Sequence, residues 1–341
     1  MLSCVYRLIA PRTFEPVQVE ILWDNQGVLV RPTHISICNA DQRYYQGTRS
    51  ERVLGTKLPM SLSHEGIGVV VEDPTGTYKP GSHVVIIPNT PTEKSEFVAE
   101  NYLPSSKFCG SGSDGLMQEY MILNPSQVIE LPESISKDVA SFTELVSVAV
   151  HAISRFESIA HKSRCTFGVW GDGSVGFIVA ILLSLLYPKA KIIVVGRSAL
   201  KLANFTFVTE THLSEEVTTL PPLDHAFECC GGEGVEIAID QIISNINPEG
   251  TISLLGVSEN KVPINTRLIL EKGVRIFGSS RSGREDFERV FQLYEKHPVL
   301  LDYLRALVEN VVEVNTILDI VNAFNLDRRK AMGKTIMHWN I

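Results

Sequence analysis

The sequence predicts an α/β chain in two parts, a β-rich first domain followed by a doubly wound parallel sheet. Three observations carry this. Short apolar runs divided by Gly, Pro and Asn fill the chain to about residue 145. Beyond residue 138 strand-like runs alternate with segments of helix length, the pattern of βαβ units. Between one such strand and a strongly apolar helix stands Gly171-Asp172-Gly173-Ser174-Val175-Gly176, a G-x-G-x-x-G turn.

In the first part, residues 27–32 (GVLVRP), 67–72 (IGVVVE) and 83–88 (HVVIIP) read as strands bounded by turn residues, in an irregular and mostly antiparallel arrangement. Residues 89–114 are polar and rich in Gly and Ser toward their end, which reads as a long loop or lobe. Residues 138–153 (DVASFTELVSVAVHAI) read as a helix leading into the second part. There, strands are expected at 166–170, 191–195, 226–228, 251–255 and 274–277, with a helix at 175–186. Past residue 279 the chain reads as mainly helical, ending in a strand at 334–339 that rejoins the first domain.

Length and composition fit this organisation and exclude others. A chain of 341 residues is about twice a usual domain, and 44% hydrophobic against 21% charged residues suffices for a real core. A net charge of −8 argues against nucleic acid as a partner, because a sequence-independent grip needs a basic surface. The N-terminus lacks the apolar core of a signal peptide, and the most apolar run, 177–187, is closed by Pro188 and too short to span a bilayer. The six cysteines are scattered without a C-x-x-C pair, as free thiols in a reducing compartment would be, so a cytoplasmic location without membrane contact is expected.

The glycine turn has a chemical reading. Gly171 permits a tight turn, Gly173 lets the backbone approach a pyrophosphate, and Gly176 allows close packing of helix on strand; Ser174 and Val175 open the helix whose free N–H groups face the phosphates. A site for NAD usually places a carboxylate about twenty residues later. Here the second strand runs into Gly196, Arg197 and Ser198, with Lys201 one turn on. A guanidinium and a hydroxyl suit a 2′-phosphate, so NADPH is the expected cofactor; the plain alternative is a solvated surface arginine.

A second set of residues carries metal chemistry. Cys38 follows the first strand, His64 and Glu65 stand in Ser63-His64-Glu65-Gly66-Ile67-Gly68, and Glu144 lies in an otherwise apolar helix where a charge needs a partner. Thiolate, imidazole and carboxylate are the ligands expected of Zn2+, and a catalytic site uses three and leaves one position open. Adjacent residues of a regular strand point to opposite faces. His64 and Glu65 can therefore share an ion only if the backbone bends, which the two following glycines are expected to permit. Singly, each residue has a plainer reading, Cys38 as a small core residue and His64 as a histidine hydrogen-bonded in the core.

Taken in order, Cys38, the His64-Glu65-Gly66 turn, Glu144 and the glycine loop resemble the zinc-containing medium-chain dehydrogenases over essentially the whole chain. Residues 40–45 (ADQRYY), 88–93 (PNTPTE) and 278–283 (GSSRSG) are similar to the NADPH-dependent ribulose-5-phosphate reductases, which make ribitol 5-phosphate for bacterial teichoic acids and capsules. The resemblance implies a GroES-like catalytic domain at 1–148, a Rossmann domain at 149–279 and a C-terminal segment, 280–341, returning to the catalytic domain. It implies zinc polarising the C2 ketone of ribulose 5-phosphate for hydride transfer from NADPH. It also implies a homodimer through the nucleotide domain, at a sheet edge formed by 251–255 and 274–277, and cooperation with a cytidylyltransferase that consumes ribitol 5-phosphate.

Two departures from the family matter. Of the four cysteines that bind a structural zinc in many relatives only Cys109 is present, so one catalytic zinc and no structural zinc is expected. Ala40 and Arg43 stand where relatives carry proton-relay residues, which leaves zinc-bound water or Glu65 as the proton source. Glu65 is then either a fourth ligand or a nearby base. Arg43 is the first candidate to clamp the substrate phosphate, ahead of Arg281 and Arg284, with Tyr44 and Tyr45 as candidates to line the sugar pocket. Two alternatives stay open: a zinc dehydrogenase of an unphosphorylated polyol, and a non-catalytic NADPH-binding protein.

Overall fold

The computed structural model describes residues 1–23, 26–218 and 220–341. The chain forms two compact units. One comprises Met1–Ser147, Ser282–Gln292 and Leu304–Ile341, the other Val148–Arg281 and Leu293–Tyr303.

The first unit is built on β-sheets. Its N-terminal hairpin pairs Leu2–Ala10 with Thr13–Glu20, and Met60–Ser61 joins the first of these strands. The larger sheet runs in the order Val128–Glu130, His83–Ile86, Glu65–Glu72, Val28–Ser36, Lys334–Trp339, Val308–Val314. Pro32 sits in the middle of a central strand, where a missing N–H would break the ladder; the register shifts between Pro32 and His34 to accommodate it. Around this sheet Val30, Ile35, Ile37, Leu62, Met117 and Trp339 belong to one buried core.

Two stretches differ from the sequence reading. The lobe at 89–114 carries structure of its own, a two-strand ladder of Asn89–Thr90 with Lys107–Phe108 and a 3-10 turn at Glu100–Tyr102. The mainly helical C-terminal region contains the strand Val308–Val314, which runs parallel to Lys334–Trp339 with the helix Ile317–Asp327 as the connection. Its sequence VENVVEV alternates in burial, and the outward Glu309, Val311 and Glu313 belong to a strand at the sheet's end. An alternation this short, flanked by helices, was overridden by the longer helical pattern.

The second unit is a six-stranded parallel sheet in the order Glu210–Leu213, Lys191–Gly196, Thr166–Trp170, Leu223–Glu228, Ile246–Leu254, Arg275–Gly278. The chain begins this sheet in its middle and builds outward both ways, so Thr166–Trp170 stands at the point where strand order reverses. Ligands of doubly wound sheets bind beyond the carboxyl ends of strands at such a point. The helix Ser174–Leu186 follows it; its residues from Gly176 to Leu183 are all buried, which is why its sequence is apolar on every face. Of the two strands expected at the sheet edge, only Arg275–Gly278 is there, because Ile246–Leu254 pairs on both sides.

Candidate functional site

Cys38 lies two residues past the strand Val28–Ser36 and is the N-cap of the helix Asn39–Tyr45. Its position is fixed by Asp41, three residues on, whose Oδ2 accepts the Cys38 backbone N–H at 3.0 Å. The other oxygen of the same carboxylate accepts the Ser63 backbone N–H at 2.9 Å and lies 3.8 Å from His64 Nδ1. One buried side chain thus pins two ligand-bearing segments together. Asp41 escaped the sequence reading, although an acid at the third position of a short helix is a recognisable capping signal.

The break in alternation that the pair His64 and Glu65 requires is present, but not where the glycines suggested. His64 precedes the strand Glu65–Glu72, so strict alternation does not bind the pair; just before it Ser63 turns the chain with φ +69°, its hydroxyl donating to the Ser36 carbonyl at 3.1 Å. Gly66 and Gly68 are ordinary strand residues. A Cβ on them would stand 2.8 Å from the His34 carbonyl oxygen and 2.7 Å from that of Arg31, so they are small to let the neighbouring strand close in.

The outcome is a cluster in which the ligand atoms of Cys38, His64 and Glu65 all lie within 4.8 Å of one another. His64 and Glu65 are buried, and Phe108 covers the imidazole with ring centroids 5.3 Å apart. Glu144 stands outside this triad but is buried in the first turn of Thr143–Ile159 and is felt electrostatically by His64. Glu65 already has a partner in the chain, Lys334 Nζ, 2.7 Å from Oε2 and 3.0 Å from Oε1. Lys334 too was missed, because nothing local to the C-terminal strand announces it.

The electrostatics fit a cation. Burial pushes the Glu144 carboxyl up to about 7, helped by Glu65 and opposed by His64. Burial resists a charge on His64, yet the Cys38 sulfur and the Asp41 carboxylate outweigh it and raise the imidazole pKa well above its ordinary value. Burial likewise opposes ionisation of Glu65 and Lys334, and their mutual attraction outweighs it in both. Three buried carboxyls, Asp41, Glu65 and Glu144, thus stand against one buried lysine, Lys334. Deprotonated, the sulfur, nitrogen and carboxylate donors match a borderline divalent ion such as zinc.

The substrate candidates of the first unit fare unevenly. Arg43 is half-buried in the last turn of Asn39–Tyr45. Tyr44 and Tyr45 belong to the core: Tyr45 packs on Phe14 and Phe324 at 5.9 and 4.6 Å, and the Arg49 guanidinium lies over Tyr44 at 5.1 Å. Arg284 is occupied structurally, donating to the carbonyls of Ser126 and Val128 and pairing with Glu288 at 2.8 Å. Cys109 is buried, its thiol pushed up to about 12 by burial, and belongs to neither His/Cys/Asp/Glu cluster among the described residues.

In the second unit the glycine loop has the geometry its sequence implies. Gly171 has φ +131°, and a Cβ on Gly176 would stand 1.9 Å from the Gly171 carbonyl oxygen. At Gly173, the N-cap of Ser174–Leu186, nothing lies within 4 Å of the place a Cβ would take, so the approach is open. Asp172 ties the loop to the next strand end, its Oδ2 accepting the Arg197 and Ser198 backbone N–H groups at 2.8 Å each. The Arg197 side chain is exposed beside Ser198, whose hydroxyl caps the short helix bearing Lys201. Glu228, also missed, is buried at the end of its strand and accepts from the Cys230 and Gly256 N–H groups at 2.7 and 3.0 Å. Arg281 is half-buried with φ +60°.

A β-rich unit with a largely buried Cys–His–Glu cluster and a parallel sheet with a G-x-G-x-x-G loop define a class. Residues 24–133 match the alcohol dehydrogenase GroES-like domain and residues 188–296 match the zinc-binding dehydrogenase family. Over its full length the chain is 51% identical to the ribulose-5-phosphate reductase of Bacillus spizizenii, covering all of that protein. It is 42% identical to the ribulose-5-phosphate reductase of Streptococcus pneumoniae, covering 98% of it. The crystal structure of S. aureus TarJ in complex with NADPH superposes with a TM-score of 0.89 at 45% identity, covering all of both chains. The chain belongs to the zinc-binding alcohol dehydrogenase family and, within it, to the group of the ribulose-5-phosphate reductases.

Proposed function

We propose that the chain reduces D-ribulose 5-phosphate to D-ribitol 5-phosphate with NADPH, as its relatives' names imply for them. The observation that carries this reading is the cluster of half-buried Cys38 with buried His64 and Glu65, ligand atoms within 4.8 Å of one another, in a chain of this family. When bound, zinc supplies a Lewis acid for the ketone oxygen, and the nicotinamide supplies the hydride.

The chain's own residues do the rest. Cys38 and His64 would hold the metal, with Glu144 and Glu65 as carboxylates that would balance its charge. Asp41 sets the spacing of the two ligand segments. Lys334 keeps Glu65 ionised and fixed, so Glu65 serves as a tethered carboxylate rather than a freely swinging base. Gly171, Gly173, Ser174, Val175 and Gly176 present backbone N–H groups to the pyrophosphate, while Arg197, Ser198 and Lys201 receive the 2′-phosphate. Arg43, on the helix that begins at Cys38, is the residue we assign to the substrate phosphate, with Arg281 as a second candidate. One zinc per chain in this site, a homodimer, and hand-over of ribitol 5-phosphate to a cytidylyltransferase complete the proposal.

The test compares ribulose 5-phosphate with ribulose while NADPH consumption is followed. The phosphorylated sugar should be reduced far more efficiently, and Arg43→Met should raise its KM while leaving the KM for NADPH in place. Equal turnover of both sugars would point to a dehydrogenase of an unphosphorylated polyol.

A further inference from the structure

A second group of metal-ligating side chains lies apart from the residues discussed so far. His34 on Val28–Ser36 and His338 on Lys334–Trp339 stand directly opposite one another across an antiparallel pair. Their rings are 4.5 Å apart at a tilt of 56°. Asp138, from the short helix Lys137–Ala140, closes the group, and the ligand atoms of all three lie within 4.8 Å of one another. Each is partly exposed, so an ion can reach them from solvent.

We propose that His34, His338 and Asp138 form a second binding site for a borderline divalent cation, zinc above all, on the face of the first unit's sheet. Two imidazoles and one carboxylate are a donor set that zinc takes with a solvent molecule in the fourth position. The site also has an outer layer. His338 Nε2 faces Asp138 Oδ1 at 2.8 Å, while Nδ1 faces Glu313 Oε1 at 2.7 Å, and Asn340 donates to the other Glu313 oxygen at 2.9 Å. A carboxylate behind the far nitrogen is the arrangement that orients a metal-bound histidine. His34 keeps Nδ1 on the Thr33 hydroxyl at 3.1 Å, which leaves its other nitrogen for the ion.

On binding, the metal takes the place of the proton shared by His338 and Asp138, and that proton passes to solvent. The three ligands come from two strands and a helix that are distant in sequence, so the ion would clip the C-terminal strand to the centre of the sheet. Glu313, on the next strand along, extends the clip to a third.

Elemental analysis after equilibrium dialysis of the whole protein against zinc tests this. Wild type should retain one more zinc per chain than His34→Gln and than His338→Gln, whatever the occupancy of the Cys38 site. Once the Cys38 site is filled, further zinc should raise Tm in wild type and not in either variant. Cobalt separates the two sites further: only the Cys38 site gives a thiolate charge-transfer band, so His34→Gln should lose one cobalt and keep that band. If either variant folds poorly, Asp138→Asn serves in its place. Equal zinc in wild type and all three variants would overturn the proposal and leave His338 as a protonated link between Asp138 and Glu313.

Discussion

The cluster around Cys38 and the loop around Gly173, the two candidate sites for a charged ligand, are built in opposite ways. The first uses side-chain charges taken out of water, so every member must be balanced by another: Glu65 by Lys334, His64 by Asp41 and the Cys38 sulfur. The second uses backbone groups and space, with Gly171 at φ +131° and an open approach at Gly173. Charge balance makes the first site sensitive to any one residue, including residues that never touch a ligand. Backbone geometry makes the second sensitive to added bulk.

The largest effect should come from removing one side of a buried pair. Lys334→Met leaves Glu65 charged and unpaired at zero exposure, and should lower stability by about 3–5 kcal/mol in urea unfolding. Adding Glu65→Gln should restore much of it; a double variant no more stable than the single one would break the charge-balance account.

Next in size is cofactor choice in the second unit. Arg197→Leu should cost about 1.5–3 kcal/mol of NADPH binding while sparing NADH, read as the ratio of the two kcat/KM values. An unchanged ratio would remove Arg197 from the 2′-phosphate site. Asp41→Asn should keep the fold but loosen the two ligand segments, lowering metal affinity about 10- to 100-fold in a chelator competition.

The smallest effect is a slope. Burial holds the Glu228 carboxyl up at about 7, against an ordinary value of 4.5, although its two N–H donors oppose this. The folded state therefore keeps this proton to higher pH than the unfolded chain does. The stabilisation is complete below pH 4.5 and is lost as pH rises toward 7. Unfolding free energies of Glu228→Gln measured across that window should depend less on pH than those of wild type.

The same contrast decides what could be read from the sequence. The glycine loop was legible because strand, turn and helix are contiguous, and each glycine answers to a local constraint. The candidate ligands Cys38 and His64 were legible as residue types. Their supports were not: Lys334 is 269 positions from Glu65 and is placed by strand pairing alone. Even the break in alternation between His64 and Glu65 owes nothing to Gly66 and Gly68: the strand simply begins at Glu65, after a left-handed Ser63. Tyr44 and Tyr45 read as sugar-pocket residues because they flank the Cys38 turn, and their burial, Tyr45 against Phe14 and Phe324 and Tyr44 beneath Arg49, is a tertiary fact.

The lysine that neutralises Glu65 lies on the last strand of the sheet, downstream of the entire parallel-sheet unit. A ribosome must therefore deliver the whole nucleotide fold before the first unit can settle its deepest charge. Until then the strand Val28–Ser36 has an open flank, and Glu65 has no lysine. The metal pocket is among the last parts of the molecule that synthesis can finish.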